Sequence, residues 1–145
     1  MEPNKSLLTV KDLVKHFDIS GGLLDQLALE NGRMVRKKTT VKALNSVSLT
    51  IEPQETLGVV GESGCGKSSV SKMIMRAITP DEGTITLHDR DRVTDVLALN
   101  GNELTDYRKR VQMIFQDPVK SLNPRMTVFD IIREPLVIHG FGTSR

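Results

Sequence analysis

The sequence has 145 residues, a formal net charge of +2, 38% hydrophobic and 26% charged residues, and one cysteine. That is an ordinary globular balance, too weakly basic to argue for nucleic acid and unable to form an internal disulfide. No apolar run approaches bilayer-spanning length and the opening MEPNKSLLTV lacks a signal-peptide core, so a cytoplasmic protein is expected.

In chain order, Leu7–Val10 and Val14–Phe17 read as short strands split by the polar pair Lys11-Asp12. Residues 18–40 mix Gly, polar and basic residues and read as a surface insertion with one helical turn at Leu23–Leu29. The basic run Arg36-Lys37-Lys38 within it reads as a solvated loop. Val47, Leu49 and Ile51 alternate with hydroxyl residues, the pattern of a half-buried strand. Leu57-Gly58-Val59-Val60 is a short apolar run after a turn signal and predicts a strand buried on both faces. Val70, Met73, Ile74, Ala77 and Ile78 recur at helical spacing and predict an amphipathic helix of about three turns, stopped by Thr79-Pro80-Asp81-Glu82-Gly83. Thr84–His88 reads as a strand, Asn102–Arg110 as a helix and Val111–Phe115 as a further strand. Thr127 with Asp130 predicts a helix cap, and Pro135 a helix end. The order is α/β, with too few strands to close a doubly wound sheet.

Gly61-Glu62-Ser63-Gly64-Cys65-Gly66-Lys67-Ser68 matches G-x-x-x-x-G-K-[ST] at every fixed position, between a predicted strand and a predicted helix. The glycines permit turns closed to other residues and let the backbone approach a phosphate without a Cβ in the way. Successive N–H groups from Ser63 to Ser69 are expected to form an anion nest at a helix N-terminus. Lys67 brings a compact cation to the β- and γ-phosphates, and Ser68 offers a hydroxyl to Mg²⁺. Cys65 sits at a variable position and reads as a small side chain that fits. His16, His88 and His139 are scattered without metal-ligand spacing.

The loop Gly61–Ser69 (GESGCGKSS) resembles that of the ABC ATPases. Val111–Val128 (VQMIFQDPVKSLNPRMTV) closely resembles the Q-loop segment of the oligopeptide/dipeptide importer ATPases. Glu134-Pro135-Leu136, His139-Gly140 and Val10–Phe17 (VKDLVKHF) are similar to the same subfamily, so the resemblance runs from Leu7 to about Gly140. It implies a P-loop NTPase fold: the N-terminal part of an ABC ATPase domain, with a small antiparallel β subdomain and an incomplete parallel core. It also implies ATP and Mg²⁺ as cofactors. Carried over by position, Phe17 matches the aromatic residue that stacks on adenine, and Gly61, Ser63, Gly64, Cys65, Gly66, Lys67, Ser68 and Ser69 match the Walker A loop. Gln116 matches the glutamine that ligates Mg²⁺ or the attacking water, so Lys67 and Gln116 are the catalytic candidates and Ser68 and Gln116 the metal ligands. From the residues alone, Phe17 also reads as a core aromatic and Gln116 as a polar loop residue.

The implied activity is ATP hydrolysis coupled to uptake of oligopeptides or dipeptides. The implied partners are integral-membrane permease subunits, a second identical or homologous ATP-binding subunit and, indirectly, a peptide-binding protein, at the cytoplasmic face of the inner or plasma membrane. The family's signature helix start, Walker B strand with catalytic Glu, and switch histidine have no counterpart in this sequence, and Val93–Leu99 is interrupted by Asp95. The chain is therefore expected to be a partial nucleotide-binding domain over 1–145, inactive by itself. A soluble P-loop NTPase unrelated to transport, or a non-catalytic nucleotide-binding remnant, are the alternatives.

Overall fold

The computed structural model describes residues 6–19, 27–30, 33–36, 40–89, 92–117 and 121–141. They fall into two compact units, Met1–Ala98 and Leu99–Arg145. The first carries β1 (Leu8–Asp18), β2 (Leu27–Glu30), β3 (Arg33–Arg36), β4 (Thr40–Ile51), α1 (Lys67–Ile74), β5 (Glu82–Asp89) and β6 (Arg92–Asp95); the second carries α2 (Gly101–Arg110) and α3 (Val128–Ile138).

The main sheet is antiparallel with strand order β4-β1-β5-β6, while β2 and β3 pair as a separate hairpin. Where the sequence suggests two strands split by Lys11-Asp12, the structure has one. Asp12 is accommodated as an extra residue: Val10 and Leu13 face Leu49 and Val47 on β4, and Lys11 and Val14 face Thr84 and Glu82 on β5. Asp12 adopts φ 50 and is held by side chains: its N–H donates to Ser48 Oγ at 2.8 Å, and Ser46 Oγ donates to Asp12 Oδ1 at 2.9 Å. This bulge re-phases the alternation, so that the buried residues of β1 are Leu8, Val10 and then Leu13. Leu8 and Val10 pair with Leu87 and Ile85 of β5, also buried, which places a strip of the core across the two central strands.

Several sequence expectations change at this level. Leu27–Leu29 belongs to a strand rather than a helical turn, and Leu23–Gln26 lies outside the described residues. Neither Leu57–Val60 nor Val111–Phe115 forms a strand. Val60 and Ile114 are 96% and 95% exposed, and among the described residues no strand lies alongside either segment. A strand exists only as part of a ladder, so apolar character alone does not create one. The parallel core implied by the resemblance is accordingly not seen among the described residues, where every pairing is antiparallel.

The helices end differently from expectation too. α1 stops at Ile74 because Arg76 turns left-handed at φ 57, with Arg76 N–H donating to Met73 O and Ala77 N–H to Lys72 O. α3 is capped as expected, Thr127 Oγ1 accepting from Asp130 N–H at 3.2 Å. It then runs through Pro135 on an exposed helix. Its stop is Gly140 at φ 77, whose N–H donates to Val137 O while Phe141 N–H donates to Leu136 O. That pairing satisfies the terminal carbonyls, so glycine rather than proline sets the end.

Gly83 sits opposite the β1 bulge at φ +100, and a Cβ there would lie 2.6 Å from the carbonyl oxygens of both Lys11 and Asp12. Gly83→Ala is expected to destabilise the fold by at least about 1–3 kcal/mol in urea denaturation. Gly58→Ala, with nothing within 4 Å of its Cβ position, should stay within about 0.5 kcal/mol of the parent.

Candidate functional site

The loop 61–66 leads straight into α1, whose N-terminal cap is Gly66 in the left-handed region at φ 100. A Cβ on Gly66 would meet Ala43 O at 2.6 Å and Leu44 Cδ2 at 2.7 Å. Ala43 and Leu44 belong to β4, and Leu44 is buried, so the loop's last glycine is pressed directly onto the sheet. Val70 and Met73, one and two turns on, are buried and seat α1. Gly64 also has a positive φ, of 84, but open space around it. Gly61 is crowded by a side chain instead: its Cβ position lies 2.6 Å from Cys65 Sγ.

Lys67 folds back over this loop. Its Nζ donates to Gly61 O at 2.7 Å and to Glu62 O at 2.6 Å, with Cys65 Sγ at 3.4 Å. An ammonium has three donors, so after the two carbonyls one remains beside the weak sulfur contact. Ser68 is exposed and Ser69 half-buried at the start of α1. The expected run of inward N–H groups is partly spent on the loop itself: Cys65 N–H donates to Glu62 O and Ser69 N–H to Gly66 O. The N–H groups of Ser63, Gly64, Gly66, Lys67 and Ser68 have no acceptor among the described residues. Unpaired donors of a helix's first turn, a lysine and a glycine cradle that any side chain would fill together suit a phosphate.

Phe17, one residue before the end of β1, lies opposite Val41 of β4, the strand on which Gly66 rests two residues further along, at Ala43. The sheet thus brings the aromatic candidate and the loop to one strand, although 44 or more residues separate Phe17 from the loop in sequence. Phe17 is half-buried, and Lys15 Nζ stands 5.8 Å from its ring centroid. Two residues of this neighbourhood escape a sequence reading: Ala43, which contributes only a carbonyl, and Asp81, which reads merely as part of a helix stop. Asp81 accepts from Lys15 Nζ at 2.7 Å and from His16 N–H at 2.7 Å, contacts spanning more than 60 positions with no local signal. The Lys15 contact first, and the His16 N–H after it, hold the Asp81 carboxyl below its ordinary value.

Gln116 belongs to the second unit. It is exposed and, with Phe115, Asp117 and Ser121, lines an open depression of about 490 Å³. It follows an irregular stretch rather than the buried strand expected before it.

Residues 44–139 match the ABC transporter family. The chain is 44% identical over 133 residues to a putative oligopeptide transport ATP-binding protein of Bacillus subtilis, covering 92% of this chain and 34% of that protein. It is 40% identical over 136 residues to the oligopeptide transport ATP-binding protein OppF of Salmonella typhimurium, covering 94% of this chain and 37% of the relative. The chain therefore spans little more than a third of the length of these curated relatives. Among solved structures, it is similar to a dimeric ATP-binding cassette in a post-hydrolysis state bound to ADP and Pi, with a TM-score of 0.65 and 23% identity over 95% of this chain and 50% of that one.

The two crowded glycines differ in what crowds them, and this is testable by thermal and chemical denaturation. Gly66→Ala forces a left-handed alanine against a β4 carbonyl and should cost about 1–3 kcal/mol or more. Gly61→Ala meets only the rotatable Cys65 side chain and should cost less than about 1 kcal/mol, with Cys65→Ala removing most of that.

Proposed function

The chain belongs to the ABC transporter family, and we propose that it is the nucleotide-holding part of an importer ATPase that drives uptake of oligopeptides or dipeptides. The observation that carries this reading is the loop around Gly66 and Lys67, a phosphate cradle seated on β4 beside the strand that bears Phe17. Relatives named as oligopeptide transport ATP-binding proteins supply the proposed substrate class. ATP binding and hydrolysis, like the transport they would drive, are proposed here for the whole protein.

In this reading Phe17 stacks on adenine, and the free N–H groups of the loop bind phosphate oxygens. Lys67 neutralises the β- and γ-phosphates while two of its donors keep the loop closed on Gly61 and Glu62. Ser68 would offer a hydroxyl to Mg²⁺, and Gln116 is proposed as a further ligand from its sequence match alone. When bound, Mg²⁺ offsets the charge that builds on the phosphates. By its match to the family's glutamine in sequence, Gln116 is also proposed as the residue that would orient a water molecule. These assignments fit the exposure of Ser68 and Gln116.

The partners proposed are a second ATP-binding subunit, membrane subunits and, through them, a peptide-binding protein. Among the described residues no helix is long and apolar enough to cross a membrane, so attachment to the cytoplasmic face would go through the membrane subunits. Leu122, 48% exposed, and the apolar residues Phe129 and Ile132 of α3, 69% and 60% exposed, offer contact area for them. The domain assignment follows: 1–145 as a partial nucleotide-binding domain, with 18–40 an insertion that includes the β2–β3 hairpin.

Lys67→Ala in the full-length protein is expected to weaken Mg-ATP binding at least about tenfold in a fluorescent-nucleotide titration, since a charge-assisted phosphate contact is lost. In vesicles carrying the full-length protein with its membrane subunits, labelled-oligopeptide uptake should require ATP and stop with the same substitution. Unchanged nucleotide affinity would remove the phosphate-cradle reading; ATP-driven uptake of some other solute, with no peptide carried, would remove the substrate class.

A further inference from the structure

Phe17 lies where β1 has lost one of its two neighbours. The β1–β5 ladder ends at Val14 opposite Glu82, so Lys15–Asp18 run on past β5. On the other side, the pairing with β4 is irregular between Leu13 and Lys15 and again between Lys15 and His16. Backbone pairing alone therefore holds this stretch loosely, just before the aromatic ring.

Asp81 makes up the deficit. Its own N–H donates to Val14 O at 2.9 Å, extending the ladder by one bond. The residue before it is Pro80, which has no N–H to continue the ladder. The Asp81 carboxylate takes over instead: Oδ2 accepts from His16 N–H at 2.7 Å, and Oδ1 accepts from Lys15 Nζ at 2.7 Å. Lys15 and Phe17, two apart on a strand, share a face, and the Lys15 ammonium stands 5.8 Å from the ring centroid. One carboxylate thus fixes the backbone immediately before Phe17 and the cation set over its ring. The Lys15 side chain is 16% exposed and that of Asp81 39%, so the ammonium is partly covered while the carboxylate stays open to solvent.

We propose that Asp81 is a positioning residue for the nucleotide base, holding Phe17 in its stacking position through Lys15 and the His16 backbone. This rests on the reading of Phe17 as the ring that stacks on adenine. It also gives the turn after α1 a task at the base end of the site.

The test separates base from phosphate. Binding of Mg-ATP and of Mg-tripolyphosphate, which has no base, is measured by calorimetry for the full-length protein and for Asp81→Ala, Asp81→Asn, Phe17→Ala and the Phe17→Ala/Asp81→Ala double variant. Asp81→Ala should weaken ATP binding roughly three- to tenfold and leave tripolyphosphate within about twofold of the parent. Asp81→Asn keeps an acceptor for His16 N–H but loses the ion pair, and should fall between. In the Phe17→Ala background, Asp81→Ala should add nothing. Equal losses for both ligands would assign Asp81 to the fold alone and overturn the proposal. A loss with Phe17→Ala but none with Asp81→Ala would overturn it while leaving base stacking intact. No effect of Phe17→Ala would overturn the stacking reading and this proposal with it. If Asp81→Ala does not fold, Asp81→Asn and Lys15→Met, which keeps most of the apolar stem but not the ammonium, carry the same comparison.

Discussion

Gly66 approaches β4 so closely that its α-carbon has room for hydrogen only, with the Ala43 carbonyl 2.6 Å from where a Cβ would stand. Three things depend on that contact. The left-handed turn at Gly66 aims the first turn of α1, and with it the free N–H groups of Lys67 and Ser68. The same contact ties the loop to a strand whose neighbour bears Phe17. It also lets Val70 and Met73 reach the core, because a helix that starts against the sheet is already at packing distance. A side chain at this position would push the loop, the helix and the link to the aromatic ring apart together.

At two irregular points of the sheet beneath the loop, side chains take over from the ladder. The extra residue at Asp12 would leave its N–H unpaired inside a ladder, and Ser48 accepts it. Past the end of β5, His16 N–H meets the Asp81 carboxylate in place of a strand. Both repairs lie on β1, the central strand that pairs with both β4 and β5. Regular pairing along Leu8–Val10 gives the rigid portion, buried against Ile85 and Leu87, while the repaired portion carries the aromatic candidate.

The apolar surface left outside the core has functional meaning in the proposed setting. Val59, Val60 and Ile114 are 53%, 96% and 95% exposed, and β-branched residues exposed in short runs are natural seats for added strands. The chain aligns with 50% of the solved cassette that it resembles in fold.

Much of the site was legible in the residues because its chemistry is local. Glycines at 61, 64 and 66, a lysine at 67 and a serine at 68 act within one loop and one helical turn, so their spacing announces them. The same holds for the Thr127 cap, the alternation of β4 and the α2 helix, whose last turn gathers Arg108, Lys109 and Arg110 against the helix dipole. The strand readings of Leu57–Val60 and Val111–Phe115 failed for the opposite reason: hydrophobicity shows that a segment suits burial, but strand formation needs a neighbour, which no local pattern encodes. Helix lengths failed similarly, since Arg76 took a left-handed conformation that glycine usually fills, and an exposed helix absorbed Pro135. What tertiary structure alone decided was juxtaposition. Only the folded sheet brings Ala43 under Gly66 and Asp81 beside Lys15 and His16, because those contacts depend on hydrogen-bond registers between strands tens of residues apart.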